Sequence, residues 1–316
     1  MARHLLGRFL GLATVLLVTS FLVFSAIHLA PGDPVTFLLK GHPATPEAKA
    51  AVRLQYHLDD PFLSQYAQWL GDVCRGDFGR SVQFRQDVAE LVSSRLPTTV
   101  FLIGYAAVLV VVSGVLLGIL AALRPGFVDR FVLIGTGVAT ATPSFVAAIG
   151  LVSFFSVKLG WFPTFGGGSG FAGRVEHLTL PAVALAFTLS GLLARVTRSA
   201  MLDELSREHV EVARARGVAE SAVVRRHVLR NALGPIVTVG GTMLAGLLVT
   251  TSIVETAFSI PGIGSLLVTS VNVKDFPVVQ AITLLTVAAF VVVNLIVDLL
   301  QPLVDPRVTL IGRGAS

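Results

Sequence analysis

The residue types that carry chemistry are sparse in this chain and are not grouped as catalysis would need. Seven histidines, at 4, 28, 42, 57, 177, 209 and 227, form no i, i+4 pair and no His-Glu-x-x-His, so no helix face offers two metal ligands side by side. Ser169 sits between glycines in the run GGGSG at 166–170, which mimics a nucleophile turn, but it belongs to a loop and not to a helix facing a histidine. The same run lacks a following Lys-Ser or Lys-Thr, and no Gly-x-x-x-x-Gly-Lys-Ser/Thr occurs anywhere, so the usual phosphate cradle for hydrolysing ATP is missing. The single cysteine, Cys74, excludes an intrachain disulfide and a thiolate metal cluster. Inside the apolar stretches only Glu255 and Asp298 are acidic, both near predicted helix ends, where a carboxylate serves either an interfacial or inter-helix hydrogen bond or a substrate. Ion-coupled carriers set ionisable groups deeper in the bilayer and interrupt paired helices. Neither pattern is visible here, so any uphill work must be driven by another subunit.

What remains is a polar run at 203–235 between two strongly apolar blocks. Counting Arg195 and Arg198 just before it, eight arginines gather here, the others being Arg207, Arg214, Arg216, Arg225, Arg226 and Arg230. Residues 211–217 read EVARARG, a short helix with small residues at Ala213 and Ala215, stopped by a glycine that can take the left-handed conformation. Glu220 suits the positive end of a second helix. Two short helices meeting at a sharp bend make a shape that docks into a groove on another protein.

The elements that must position this loop follow from composition. Of 316 residues, 53% are hydrophobic and 14% charged, against roughly 25% charged in soluble proteins, and the mean hydropathy is +0.79. This is the composition of an all-α polytopic membrane protein. The net charge of +5 does not point to nucleic acid, because the arginines lie in loops beside apolar spans, where they mark the cytoplasmic side and meet anionic lipid. Six transmembrane helices are predicted. The first, in 1–30, has an apolar run long enough to cross a core of about 30 Å, and so reads as retained and not as a cleaved signal. Residues 31–96 form a small external subdomain, with capping residues before Pro46 and Pro61 and apolar Phe62, Tyr66, Trp69, Leu70 and Val73 at helical spacing. Residues 97–303 hold the other five helices, taken to start near Pro97, Phe131, His177, Pro235 and Val278, and 304–316 form a basic tail. Pro143 removes a backbone hydrogen bond from the third helix, either as a kink lining a transport path or as a packing kink satisfied by Thr or Ser. Fourteen Lys and Arg then fall in one set of short loops and three, Lys158, Arg174 and Lys274, in the other, which puts both termini and the 203–235 loop inside.

The loop resembles the "EAA" loop of the membrane subunits of bacterial ABC importers: Glu211, Ala213 and Gly217 match, Val212 departs, and of the downstream Ile-x-Leu-Pro only Leu229 is met. ARARG at 213–217 and HVLRNALGP at 227–235 are similar to the peptide/nickel branch of that family. So are APGDP at 30–34, GDFGRS at 76–81, HLTLP at 177–181, ETAFSIPGIG at 255–264, DFP at 275–277 and DPR at 305–307, and the long first external segment resembles its B-type subunit. The resemblance implies a type I ABC importer permease fold in the bacterial inner membrane and no enzymatic activity in this chain. It implies a heterodimer with a second permease subunit, two ATPase subunits or domains that bind the ATP and Mg, and an external substrate-binding protein. It also implies that Glu211, Ala213, Arg214, Ala215, Arg216, Gly217 and Leu229 form the ATPase-coupling loop. A self-contained channel or facilitator, or a membrane scaffold, would need no such docking loop.

Overall fold

The computed structural model describes residues 2–29, 45–47, 50, 53 and 59–304; the expected strings at 30–34 and 305–307 and the tail from 305 lie outside the described residues. Regular structure among the described residues is helical, apart from one isolated bridge between Arg80 and Asp87. The helices are α1 (Ala2–Leu29), α2 (Phe62–Cys74), α3 (Val88–Leu123), α4 (Phe127–Ala141), α5 (Ser144–Leu151), α6 (Gly170–Leu205), α7 (Glu208–Ala215), α8 (Glu220–Val223), α9 (Arg230–Ala257), α10 (Ile263–Val273) and α11 (Phe276–Val304). Wider π-helical turns continue α5 through Val152–Lys158 and join α8 to α9 through Val224–Leu229.

Four helices are long and apolar enough to cross a membrane by themselves: Val88–Leu123, Gly170–Leu205, Glu220–Ala257 and Phe276–Leu299. The pair Phe127–Ala141 and Ser144–Lys158, bent by 101°, adds a fifth if it crosses as one span, and Leu10–Ala26 of α1 is shorter. The described residues therefore give four or five spans where six were expected. The starts expected near Pro97, His177 and Pro235 move well upstream, so that Pro97, Pro181 and Pro235 lie inside α3, α6 and α9. A proline suits the first turn, but here the residues before it are buried, Val88 and Leu91, Leu178 and Leu180, and Val223, Val228 and Ala232 respectively. Packing of those side chains carries the helix through the missing N–H.

The chain divides into two compact units. The first holds residues 1–99 and 261–291. In it the aromatic face of α2 lies on α1: Phe62, Tyr66 and Trp69 meet Phe21 and Phe24 at ring-centroid distances of 5.3 to 5.8 Å, and Tyr66 and Ser20 share a 2.7 Å hydroxyl hydrogen bond. The N-cap of α2 is Pro61 and not Asp60, whose carbonyl instead accepts from Gln65. A separate cluster joins Val88 and Leu91 of α3 to Ile263 and Leu266 of α10 and Val278 and Ile282 of α11.

The second unit, 100–260 with 292–316, is built around α6. Helices in lipid associate through close approach and hydrogen bonds more than through exclusion of water. Gly191 of α6 shows the first: a Cβ there would sit 2.8 Å from the Thr136 carbonyl of α4. Thr188 of α6 shows the second. At Pro143 the ladder breaks, Val146 N–H turns to the Pro143 carbonyl, and the Thr188 hydroxyl donates to the freed Thr142 carbonyl at 2.8 Å. The bend thus leaves no orphan at Thr142.

Candidate functional site

The polar run folds into α7, a turn, α8 and the π-helical turn that enters α9. Glu208 and Glu211 occupy the first turn of α7, where they meet the positive end of its dipole, and Arg214 occupies the last. The helix stops at Gly217 through two reversed bonds, Gly217 N–H to the Arg214 carbonyl at 2.9 Å and Val218 N–H to the Ala213 carbonyl at 3.2 Å. This pair of bonds is the Schellman arrangement, and it requires the left-handed backbone that Gly217 adopts at φ +77°.

One face of α7 is anchored and the other is presented. Val210 and Ala213 are buried in a cluster with Met201 of α6, Val223, Val228 and Ala232. Glu211, Val212, Arg214, Ala215 and Arg216 are exposed, and Leu229 packs half-buried against the cluster. The bend is pinned on its outer side by Arg214, which donates to Glu220 through Nε at 3.1 Å and Nη2 at 2.6 Å. That hydrogen bond pushes the Arg214 guanidinium above its usual pKa, so it remains a cation. On the inner side Asn231 donates to Glu204 at 3.4 Å and to the His227 carbonyl at 2.9 Å, and His209 Nε2 lies 3.6 Å from Glu204, so the ends of α6 and α9 close against α7.

The structure brings the seven loop residues together and leaves the other candidates elsewhere. Pro143 holds the N-cap position of α5, at the 101° bend. Glu255 is fully buried near the C-terminal end of α9, roughly 40 Å along the helix from Leu229 at 1.5 Å per residue. Asp298 is half-buried on α11. Arg198 donates to both carboxylate oxygens of Asp129 on α4, at 2.5 and 2.6 Å. The Arg214–Glu220 and Arg198–Asp129 pairs were missed because sequence spacing alone does not say which partner an arginine meets.

A family model described as "Binding-protein-dependent transport system inner membrane component" matches residues 114–310, and an N-terminal model of the same transport-system membrane component matches residues 1–103. The chain belongs to this family of ABC importer permeases. The permease is 38% identical over 309 residues to the glutathione transport system permease protein GsiC of Salmonella paratyphi A, covering 98% of this chain and 99% of the relative. Against the protein of that name from Escherichia coli strain K12 the identity is 37%, with the same coverage. Among solved structures, an inward facing form of the MetNI methionine ABC transporter superposes with TM-score 0.56 at 18% identity, over 68% of this permease and 96% of that chain. An amino acid ABC transporter gives 0.54 at 18% identity, over 67% and 93%. The permease therefore has the all-α fold of type I ABC importer membrane subunits and is a multi-pass inner membrane protein.

Proposed function

We propose that this permease forms half of a translocation pathway with a second permease subunit, and that the exposed face of α7 docks on an ATPase subunit or domain that binds ATP and Mg. The observation that carries this reading is the two-faced loop. Val210 and Ala213 fix α7 to α6 and to the entry of α9, while Glu211, Val212, Arg214 and Arg216 face outward. A push on that face is transmitted to two long helices. The arginines gathered around α7 and in the 124–130 joint put α7 on the cytoplasmic side, and an external binding protein delivers the solute. Relatives named for glutathione transport, at 38% identity over nearly the whole chain, make a small peptide such as glutathione the favoured substrate class.

The test is reconstitution of the complex co-purified with this permease in liposomes. ATP-dependent uptake of labelled glutathione is expected, and the isolated permease is expected to pass none. Glutathione flux through the isolated chain without ATP would favour a facilitator and overturn the reading.

A further inference from the structure

Asp129 and Arg198 form a side-to-side charged clamp, part of a longer joint between α4 and α6. Their side chains are 16% and 26% exposed, and the guanidinium donates through Nε and Nη2 to the two carboxylate oxygens. Further along, Thr136 of α4 faces Gly191 of α6 at a distance that admits no Cβ, and Thr142 accepts from Thr188 beside the bend at Pro143. The pairings 129 with 198 and 136 with 191 keep one antiparallel register, and 142 with 188, three positions off it, continues the joint in the same direction. Replacing a half-buried ion pair by apolar residues is often neutral for stability, so its use here fits the setting of register better than the addition of strength.

We propose that Asp129 and Arg198 are positioning residues for transport. They lock α4 to the part of α6 that leads into α7, so that displacement of the docking loop carries α4, and with it the Pro143 bend, as one body. This deepens the reading of α7 as a docking element and rests on it. Arg198→Lys keeps the charge and loses the two-pronged fork, and Asp129→Asn keeps the shape and loses the charge.

The experiment measures labelled glutathione imported per ATP hydrolysed by the full reconstituted complex. Both variants should hydrolyse ATP within about twofold of the wild type while import per ATP falls at least about tenfold, within the range of typical coupling energies. The exchange Asp129→Arg with Arg198→Asp should recover a substantial part of the ratio, which loss of fold alone would not allow. An unchanged ratio in both single variants overturns the proposal. Should the variants fail to assemble, spin labels on exposed Ile134 of α4 and Leu192 of α6 decide it in the otherwise unaltered complex. A constant separation on adding ATP and vanadate supports one moving body, and a change above about 3 Å, larger than a usual helix shift, overturns it. A wild-type complex with no ATP-driven import would instead count against the docking reading, and the spin-label result would still judge the clamp.

Discussion

A left-handed residue at a helix stop imposes a conformational demand that two positions meet differently. Gly217 has φ +77°, and a Cβ built on it meets nothing within 4 Å, so a substitution there is disfavoured by backbone strain and not by crowding. An L side chain in that region costs about 1–2 kcal/mol, less for Asn, whose side chain tolerates it. Gly217→Asn is therefore expected to assemble with its partners nearly as well as the wild type, Gly217→Ala less well and Gly217→Val least. Co-purification yield of the complex checks the order, and Val equal to Gly would show that the stop does not matter. Ser259 makes the opposite case. Ser259 N–H bonds the Thr256 carbonyl and Ile260 N–H the Glu255 carbonyl in the same pattern, yet Ser259 holds φ +48° without being glycine. Ser259→Gly should relieve about 1 kcal/mol of strain, read as a higher melting midpoint in detergent. A lower midpoint would mean that its hydroxyl contributes more than the strain removes.

Elements are held by contacts that the linear pattern does not announce. Asp275, at the joint of α10 and α11, is buried and accepts from the Ser81 hydroxyl at 2.5 Å and the Gln83 N–H at 3.1 Å, with Val82 N–H at 3.3 Å. Both acid and hydroxyl belong to short strings that carried the family resemblance, GDFGRS and DFP, but nothing in either string shows that they meet across 194 positions. The amphipathic face of α2, the arginine-rich bend and its glycine stop were legible because period and capping are local. The upstream extension of α3, α6 and α9 through proline was not, because it depends on the burial of Val88, Leu178 and Val228 by distant helices. Removing the Asp275 carboxylate strands several donors at about 1–3 kcal/mol each. Asp275→Ala is expected to loosen the 79–88 turn, seen as proteolysis within it in sealed vesicles, whereas an unchanged cleavage pattern would show that the turn holds without it.

At the scale of the whole molecule, the bent pair poses a question of topology: α4 and α5 either cross together or turn back on the side they entered. The contacts within the second unit favour a crossing. Asp129, in the first turn of α4, sits beside Arg198 near the end of α6, and the chain leaving α5 through Lys158 must return to Gly170, where α6 begins. From 198 back to 170 an α-helix rises roughly 42 Å, more than the hydrocarbon core of about 30 Å. The loop at 160–169 is therefore expected across the membrane from both Asp129 and α7, and the short basic joint at 124–130 on the side of α7, as its arginines require. With Cys74 replaced by serine, single cysteines at exposed Phe127, Phe165 and Val218 make this measurable. A membrane-impermeant thiol reagent added to intact cells should label Phe165→Cys alone, and all three should react in inverted vesicles. The docking proposed for α7 adds a second dimension to the same assay, because Val218→Cys in the assembled complex should react more slowly than in the isolated permease while Phe127→Cys does not change. Labelling of Phe127→Cys and Phe165→Cys from one side would make the bent pair a re-entrant hairpin. Labelling of Val218→Cys from outside would remove α7 from the reach of any ATPase.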